Sequence, residues 1–408
     1  MGRELCCVAL ALIIALVIMA GGCAPQEAKP AEEAVNTEPI LVGAILPMTG
    51  GSAEFGQKFQ NAYMLAVEEI NATGGINGRE LELLIEDTQG KPDVAKTAIE
   101  KLLNQDEVVM IVGGHSSSVG VMAAKTCESL GLPYLVEHPS ADDITKSGYK
   151  CVFRLNPTAS MYSTGIQKFL LEVVKPDSIA VIHEDSAFGT AVWQGLEQFI
   201  ERENLNLVAY EKYTAASTLD FKPILSKIKS LNPDVVIMTS YVNDAVLLAL
   251  QAKEIRLEPK ALIGTGAGHS LISFVDEAGN AAEYIMSGGP WRGNMAGALW
   301  QEYNATFSNR YGYEVGEHEA EAYAAIYVIA DVLGRTSSLA SEDVVTALKE
   351  TDLETVFGKI KFEDFDGYTN QVQASEYTAL DQWLNGELKT VYPTEVAEVD
   401  YVFPFIWK

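Results

Sequence analysis

The chain has 408 residues, 48% of them apolar, and its 29 Lys and Arg face 56 Asp and Glu for a formal net charge of -27. An excess of that sign repels phosphate backbones and anionic membrane surfaces, which argues against nucleic acid as a partner and reads most plainly as a solubilising acidic surface. The roughly 370 residues beyond the N-terminal stretch are enough for two domains with full-sized cores.

Chain order begins with Arg3, an apolar run from Leu5 to Ala20, and then Gly21, Gly22 and Cys23. A basic start, an apolar core shorter than the ~20 residues that span a bilayer, and small residues at its end read as a secretory signal. Cys23 directly after two glycines resembles a lipoprotein signal, in which that cysteine becomes the lipidated first residue of the mature chain. Ala20 stands where such signals prefer a larger aliphatic residue, and Glu4 dilutes the basic start. An uncleaved N-terminal anchor is the alternative. Either way the body of the chain is expected outside the cytoplasm, held at a membrane. Residues 24–39 are a polar, acidic linker without apolar period.

After the linker, short apolar runs alternate with amphipathic stretches. Ile40 to Leu46 reads as a buried strand, and Glu54 to Ala72 as a helix with Phe59, Tyr63, Ala66, Val67 and Ile70 on one face. Further strands are expected at Glu80 to Glu86, Val108 to Val112 and Pro133 to Val136. Helices are expected at Pro92 to Leu103, where Pro92 suits a first turn, and at Ser118 to Leu130. Past Pro157 the alternation resumes, with strands at Ser178 to His183, Leu207 to Tyr213, Asp234 to Thr239, Lys260 to Ile263 and Tyr284 to Ser287. Met295 to Leu348 reads as almost wholly helical, and strand character returns from Lys359. Such alternation implies α/β architecture: two parallel sheets, each flanked by helices, in two lobes. The order requires the chain to cross between lobes more than once, near Pro157, near Gly288 to Pro290 and near Asp364 to Gly367.

Cys6 and Cys7 lie in the signal, so Cys127 and Cys151 remain, either bridged or as two buried thiols. The five histidines are widely scattered and show no zinc spacing, so neither metal nor cofactor is expected. Gly51 to Gly56 has P-loop spacing, but Gln57 and Lys58 stand where Lys and Ser or Thr are needed. Gly264 to Gly268 fails the dinucleotide pattern, because His269 takes the third glycine position. With no nucleophile elbow and no H-E-x-x-H motif, the reading is against an enzyme.

Ligands of open parallel sheets bind beyond the carboxyl ends of the strands. The Gly113-Gly114-His115-Ser116-Ser117-Ser118 loop is the sharpest candidate. Its glycines let backbone pass close to a ligand, and its serines open a helix whose free N–H groups favour a carboxylate or phosphate. Simple N-capping by one serine is the plainer alternative. Glu137-His138-Pro139-Ser140 follows the same logic at the next strand end. Phe188 and Tyr241 face the same region from the second lobe, or serve its core.

Three segments together resemble one family: Ile40 to Gly56; Ile70 to Arg79 leading to Glu86-Asp87; and Phe357-Gly358-Lys359-Ile360 with Asp366-Gly367, Gln382 to Gly386 and Val391-Tyr392-Pro393. They are similar to extracytoplasmic substrate-binding proteins of the branched-chain amino acid type of ABC importer, over Ile40 to Pro393. The resemblance implies a two-lobed type I periplasmic-binding fold with three hinge crossings. The implied division is a signal at 1–23, a linker at 24–39, a first lobe of 40–157 plus 289–363, and a second of 158–288 plus 364–408. It implies a small-molecule ligand (an amino acid, amide or related carboxylate) with permease and ATPase subunits as partners and a lipid anchor at Cys23. By that resemblance Ser117, with Ser116 or Ser118, holds the ligand carboxylate. His138 adds a backbone group, Ser140 a hydroxyl, and Phe188 and Tyr241 aromatic contacts, with Gly266 and Phe55 completing the expected site. Amino-acid binders often place an acid after the strand ending near Ile263, and this chain has none there; Asp244 or Glu184 could supply the charge, but both are expected to face solvent. A sensor passing ligand status to a membrane signalling partner is the alternative function.

Overall fold

The computed structural model describes residues 37–214, 217–289, 297–372 and 379–408. The signal, Cys23 and nearly all of the linker lie outside the described residues. Strands β1 (Ile40–Leu46), β2 (Leu81–Asp87), β3 (Ile111–Gly113), β4 (Tyr134–Val136) and β5 (Val152–Arg154) form the parallel part of a first sheet. Strands β6 (Ile179–Glu184), β7 (Leu207–Tyr213), β8 (Val235–Thr239), β9 (Ala261–Gly264) and β10 (Met286–Gly289) do the same in a second. The chain then returns to the first sheet as β11 (Asp352–Thr355), β12 (Gly358–Phe365) and β13 (Tyr368–Val372), and ends in the second as β14 (Ala379–Leu384) and β15 (Glu387–Tyr392). The orders are β11-β12-β13-β5-β4-β3-β1-β2 and β15-β14-β10-β9-β8-β6-β7. This is the two-lobed type I periplasmic-binding architecture.

The central parallel strands, such as β1 and β8, are near-continuous apolar runs because helices cover both faces of each sheet there. The helix Ala53–Ala72 turns Phe59, Tyr63, Ala66 and Ile70 into one core, where Ile326 and Ile329 of the helix Glu317–Arg335 meet them. On the other face Ile45, Ile111 and Tyr134 pack with Ile99, Leu102 and Ala123.

One boundary is corrected. Asp364 to Gly367 is not a crossing between lobes. It is the hairpin turn from β12 to antiparallel β13, with Asp366 and Gly367 at φ of 48° and 82°. An Asp-Gly pair is a turn signal of that kind. Since β13 pairs with β5 and β14 with β10, the chain still belongs to the first sheet at Val372 and belongs to the second from Ala379. Of the crossing expected near Gly288 to Pro290, Gly288 and Gly289 are the last residues of β10 in the second sheet, and Pro290 lies outside the described residues.

In both sheets the strand order reverses beside the first strand of the lobe, at β1 and β3 in one and at β6 and β8 in the other. Loops leaving neighbouring strands diverge at such a switch point and open a crevice.

Candidate functional site

The first wall comes from the loops after β3 and β4. Gly113 ends β3 at φ 115°, and a Cβ there would stand 2.6 Å from the Ile45 carbonyl oxygen, so only glycine lets the chain turn this tightly over β1. The helix Ser117–Leu130 follows. Ser116 is its N-cap, its hydroxyl accepting the Val119 N–H at 3.4 Å. Ser117 does something different: its Oγ accepts the N–H groups of Ser140 at 3.2 Å and Ala141 at 3.0 Å. A serine hydroxyl has two acceptor positions and one proton. With both acceptor positions used, what Ser117 can offer a ligand is its O–H, a donor suited to an anion.

The second lobe supplies the opposing wall. Phe188, in the first turn of the helix Ala187–Arg202, lies between Tyr162 at 6.0 Å and Tyr241 at 5.7 Å between ring centroids. Tyr241 also meets His115 of the first lobe edge-on at 5.9 Å, and its hydroxyl faces the Ser117 main-chain N–H. One cavity is therefore lined by His115, Ser117, His138 and Ser140 from the first lobe's loops and by Tyr162, Phe188, Tyr241 and Ala267 from the second, together with Glu317 and His318.

The electrostatics behind this wall are unusual. Phe55, His115 and His138 stack as a column, with 3.8 Å between the first two rings and 5.1 Å between the second pair. His318 stands 4.5 Å from His138. Burial pulls the His138 pKa down to about 4 and lowers those of His115 and His318, which leaves all three rings neutral. The Glu321 carboxyl lies 2.7 Å from His138 Nδ1, and burial, with repulsion from Glu137, raises its pKa well above the ordinary value. Both shifts point the same way: the contact is a neutral pair, with the carboxyl proton shared toward the imidazole. Burial likewise raises Glu137 to about 8, although Tyr63 donates a hydrogen bond to it at 2.5 Å.

Of the residues expected at the site, Ser117, His138, Ser140, Phe188 and Tyr241 converge on the cavity. Ser116 caps its helix and Ser118 lies off the cavity wall, so the three serines divide their work. His138 presents its ring, because its carbonyl accepts the Asn156 side-chain N–H at 2.7 Å. Phe55 stands behind His115, and Gly266 lies beside the wall residue Ala267. The expectation that Asp244 and Glu184 face solvent is overturned: they are 4% and 0% exposed. Glu184 is spent on the start of its helix, accepting from Ser186 N, Ser186 Oγ and Gly189 N, so it is not available to a ligand. Cys127 and Cys151 are free thiols in this structure. The sequence reading missed Tyr162, Glu317 and His318. For the last two a signal existed, since Glu317-His318-Glu319-Ala320-Glu321 puts two carboxylates four residues apart on one helix face.

Comparison with known proteins gives this geometry its family. A family model described as periplasmic binding protein matches residues 39–378. The chain belongs to that family. This periplasmic binding protein is 31% identical over 371 residues to a Leu/Ile/Val-binding protein homolog 7 from Brucella melitensis, covering 88% of this chain and 92% of the relative. Its fold is similar to that of a branched-chain amino acid transporter substrate binding protein from Streptococcus pneumoniae in complex with isoleucine, with a TM-score of 0.76 at 23% identity over 87% of this chain and 100% of the other. A solute binding protein of an ABC transporter from Rhodopseudomonas palustris, in complex with 3,4-dihydroxy benzoic acid, has a TM-score of 0.75 at 20% identity, covering 90% and 99%. The periplasmic binding protein described here is thus a substrate-binding protein of the branched-chain amino acid ABC transporter type, a solute-binding receptor and not an enzyme. Its family implies an extracytoplasmic location. Among the described residues no helix is long and apolar enough to cross a membrane.

Proposed function

We propose that this receptor captures an amino acid or a related small carboxylate between its lobes and delivers it to the permease and ATPase subunits of an importer, tethered outside the cytoplasm through lipid on Cys23. The observation that carries the reading is the convergence of loops from both lobes on one cavity with opposite characters: hydroxyl groups and a helix start on one side, aromatic rings on the other. A carboxylate would receive the Ser117 O–H and the Ser140 hydroxyl, with the positive end of the helix behind them. The side chain of the ligand would lie on Phe188 and Tyr241. The ligands named for the two solved neighbours, isoleucine and a benzoic acid, share a carboxylate and an apolar body. Glu317, in the cavity lining, replaces the acid missing after β9 as the group that would meet a ligand ammonium.

Closure follows from linkage: a ligand that touches both walls binds the closed arrangement more tightly and shifts the population toward it. The test is thermal melting of the full-length chain against amino acids, amides and aromatic acids. A ligand at a hundredfold excess over its Kd stabilises by roughly 3 kcal/mol. Stabilisation by carboxylates, lost in their amides, is the expected result; stabilisation by none of the panel would overturn the reading.

A further inference from the structure

We propose that the part of the cleft wall formed by His138 and the start of the helix Glu317–Arg335 is a binding site for a divalent transition cation of the zinc, nickel or cobalt kind, held by His138, Glu317 and Glu321. The proposal rests on the cleft being the capture site. It adds that the captured species includes a metal, alone or as a complex with a small amino or carboxylic acid.

The donor atoms are gathered from two elements. Glu317 and Glu321 sit four residues apart on the helix Glu317–Arg335, and His138 faces them from the loop after β4. One ligand atom from each lies within 4.8 Å of the other two, and His138 Nδ1 is 2.7 Å from Glu321 Oε2. Bonds of about 2.0–2.2 Å put the donors of a tetrahedral ion ~3.4 Å apart, so shifts of about 1 Å or less complete the geometry. Two carboxylates balance a dication, and imidazole with carboxylate is the donor set of borderline metals rather than of calcium or magnesium. Three protein donors leave a fourth position open, as in sites that exchange a bound molecule.

A second, independent observation points to the same place. His318 Nε2, both ring nitrogens of His115 and Glu321 Oε1 are buried without hydrogen-bond partners in the protein. His115, His318 and Glu321 are 5%, 4% and 0% exposed. So many unpaired polar atoms in one place mark a site awaiting a partner rather than a packed core. His318 lies 4.5 Å from His138 between ring centroids, beside this group of donors. Nearby charges do not compete: Lys58 lies 3.5 Å from Glu54 and 3.9 Å from Glu319, and Glu319 also accepts the Gly316 N–H. The cavity left among the lining residues is about 10 Å³, room for a single ion or water without parting the lobes.

The test uses the full-length chain, stripped with chelator and titrated with Co2+, whose visible absorption reports nitrogen and oxygen coordination, and with Zn2+ in competition. We expect one equivalent of Co2+ to develop absorption that Zn2+ abolishes, with proton release as the carboxyl groups ionise. Glu321→Gln keeps the shape of the neutral carboxyl and should fold, which its melting temperature checks; it should weaken Co2+ binding by more than the ~10–100-fold that even outer-sphere changes cost. Glu317→Gln is the second variant, with the same expectation. No absorption, or absorption unchanged in both variants, overturns the proposal. The ligand panel is repeated on the stripped protein with and without Zn2+. Stabilisation by carboxylates regardless of Zn2+, with no cobalt signal, removes the metal and leaves the receptor reading standing. A cobalt signal accompanied by carboxylate stabilisation only when Zn2+ is present supports a metal complex as the captured species.

Discussion

Glu137 is fully buried and accepts one hydrogen bond, from Tyr63, while its other oxygen has no partner in the protein. Burial raises its pKa from an ordinary 4.5 to about 8. Near neutral pH the folded chain therefore holds a proton that the unfolded chain releases, so raising the pH destabilises the fold, with the contribution complete below about pH 4.5 and lost as pH rises through 8. The slope is at most about 1.4 kcal/mol per pH unit, and from pH 7 to 8.5 it amounts to roughly 1–2 kcal/mol. The buried histidines act with the opposite sign: held neutral, they stabilise above their unfolded pKa of about 6.5 and lose that contribution as pH falls toward 4. Glu137→Gln removes only the first contribution. Urea unfolding of wild type and variant at pH 7, 7.75 and 8.5, followed by tryptophan fluorescence, should show the stability of wild type relative to the variant falling by roughly 1–2 kcal/mol as pH rises, because only wild type carries the titrating group. Parallel pH dependences would refute the reasoning, since they would mean that Glu137 is already ionised in the fold.

Ser117→Ala deprives two buried N–H groups of their acceptor and should cost about 1–3 kcal/mol in urea unfolding, with a comparable loss in calorimetric affinity for a carboxylate ligand. Ser116→Ala should cost ~0.5–2 kcal/mol of stability and leave affinity unchanged, because that hydroxyl only caps the helix; equal affinity losses in the two variants would contradict the division of labour. Gly120→Ala would place a Cβ 2.3 Å from Pro139 Cβ, so about 1–3 kcal/mol of destabilisation is expected, with weaker ligand binding because the loop carrying His138 and Ser140 must move. Burial raises the thiol pKa of Cys127 far more than that of Cys151, so an aromatic disulfide reagent should label Cys151 first; equal rates would contradict the burial of Cys127.

The alternation of apolar runs and amphipathic stretches was enough to place most elements within one or two residues. β1 falls on Ile40–Leu46 as expected, since a parallel strand covered on both faces leaves an unbroken apolar signature, and the edge strand β7 falls on Leu207–Tyr213 as expected although Glu211 and Lys212 interrupt its run. The short strand expected at Val108 to Val112 runs from Ile111 to Gly113, because local composition does not say where pairing with β1 stops. The Asp366-Gly367 turn was misplaced for a related reason: a turn signal gives a reversal of the chain and not the sheet it returns to. At the site, the loops after β3, β4, β6 and β8 were legible because strand ends in open sheets are where ligands go. For Glu317 and His318 the carboxylate spacing was readable but its destination was not, since their helix reaches the cleft only after a crossing between the lobes. Asp244 and Glu184 were misjudged because acidic residues at helix starts are usually solvated, whereas both are buried here and Glu184 is satisfied by the start of its own helix.

A single carboxylate holds both ends of the path between the lobes. Asp142 accepts the Ser160 N–H at 3.1 Å and hydroxyl at 2.7 Å, where the chain leaves the first sheet, and the Tyr368 hydroxyl at 2.6 Å, on the last strand before it departs again. Beside it the buried Arg154 ties β5 to Gln371 of β13 at 2.6 Å. The path between the sheets is thus braced by groups that do not line the cavity. The cavity loop and this brace share one stretch of chain, since Ser117 holds the Ala141 N–H, Arg154 holds the Ala141 carbonyl, and the Ser140 carbonyl accepts the Ala159 N–H. A substitution that moves the loop to suit a new solute therefore also pulls on the brace.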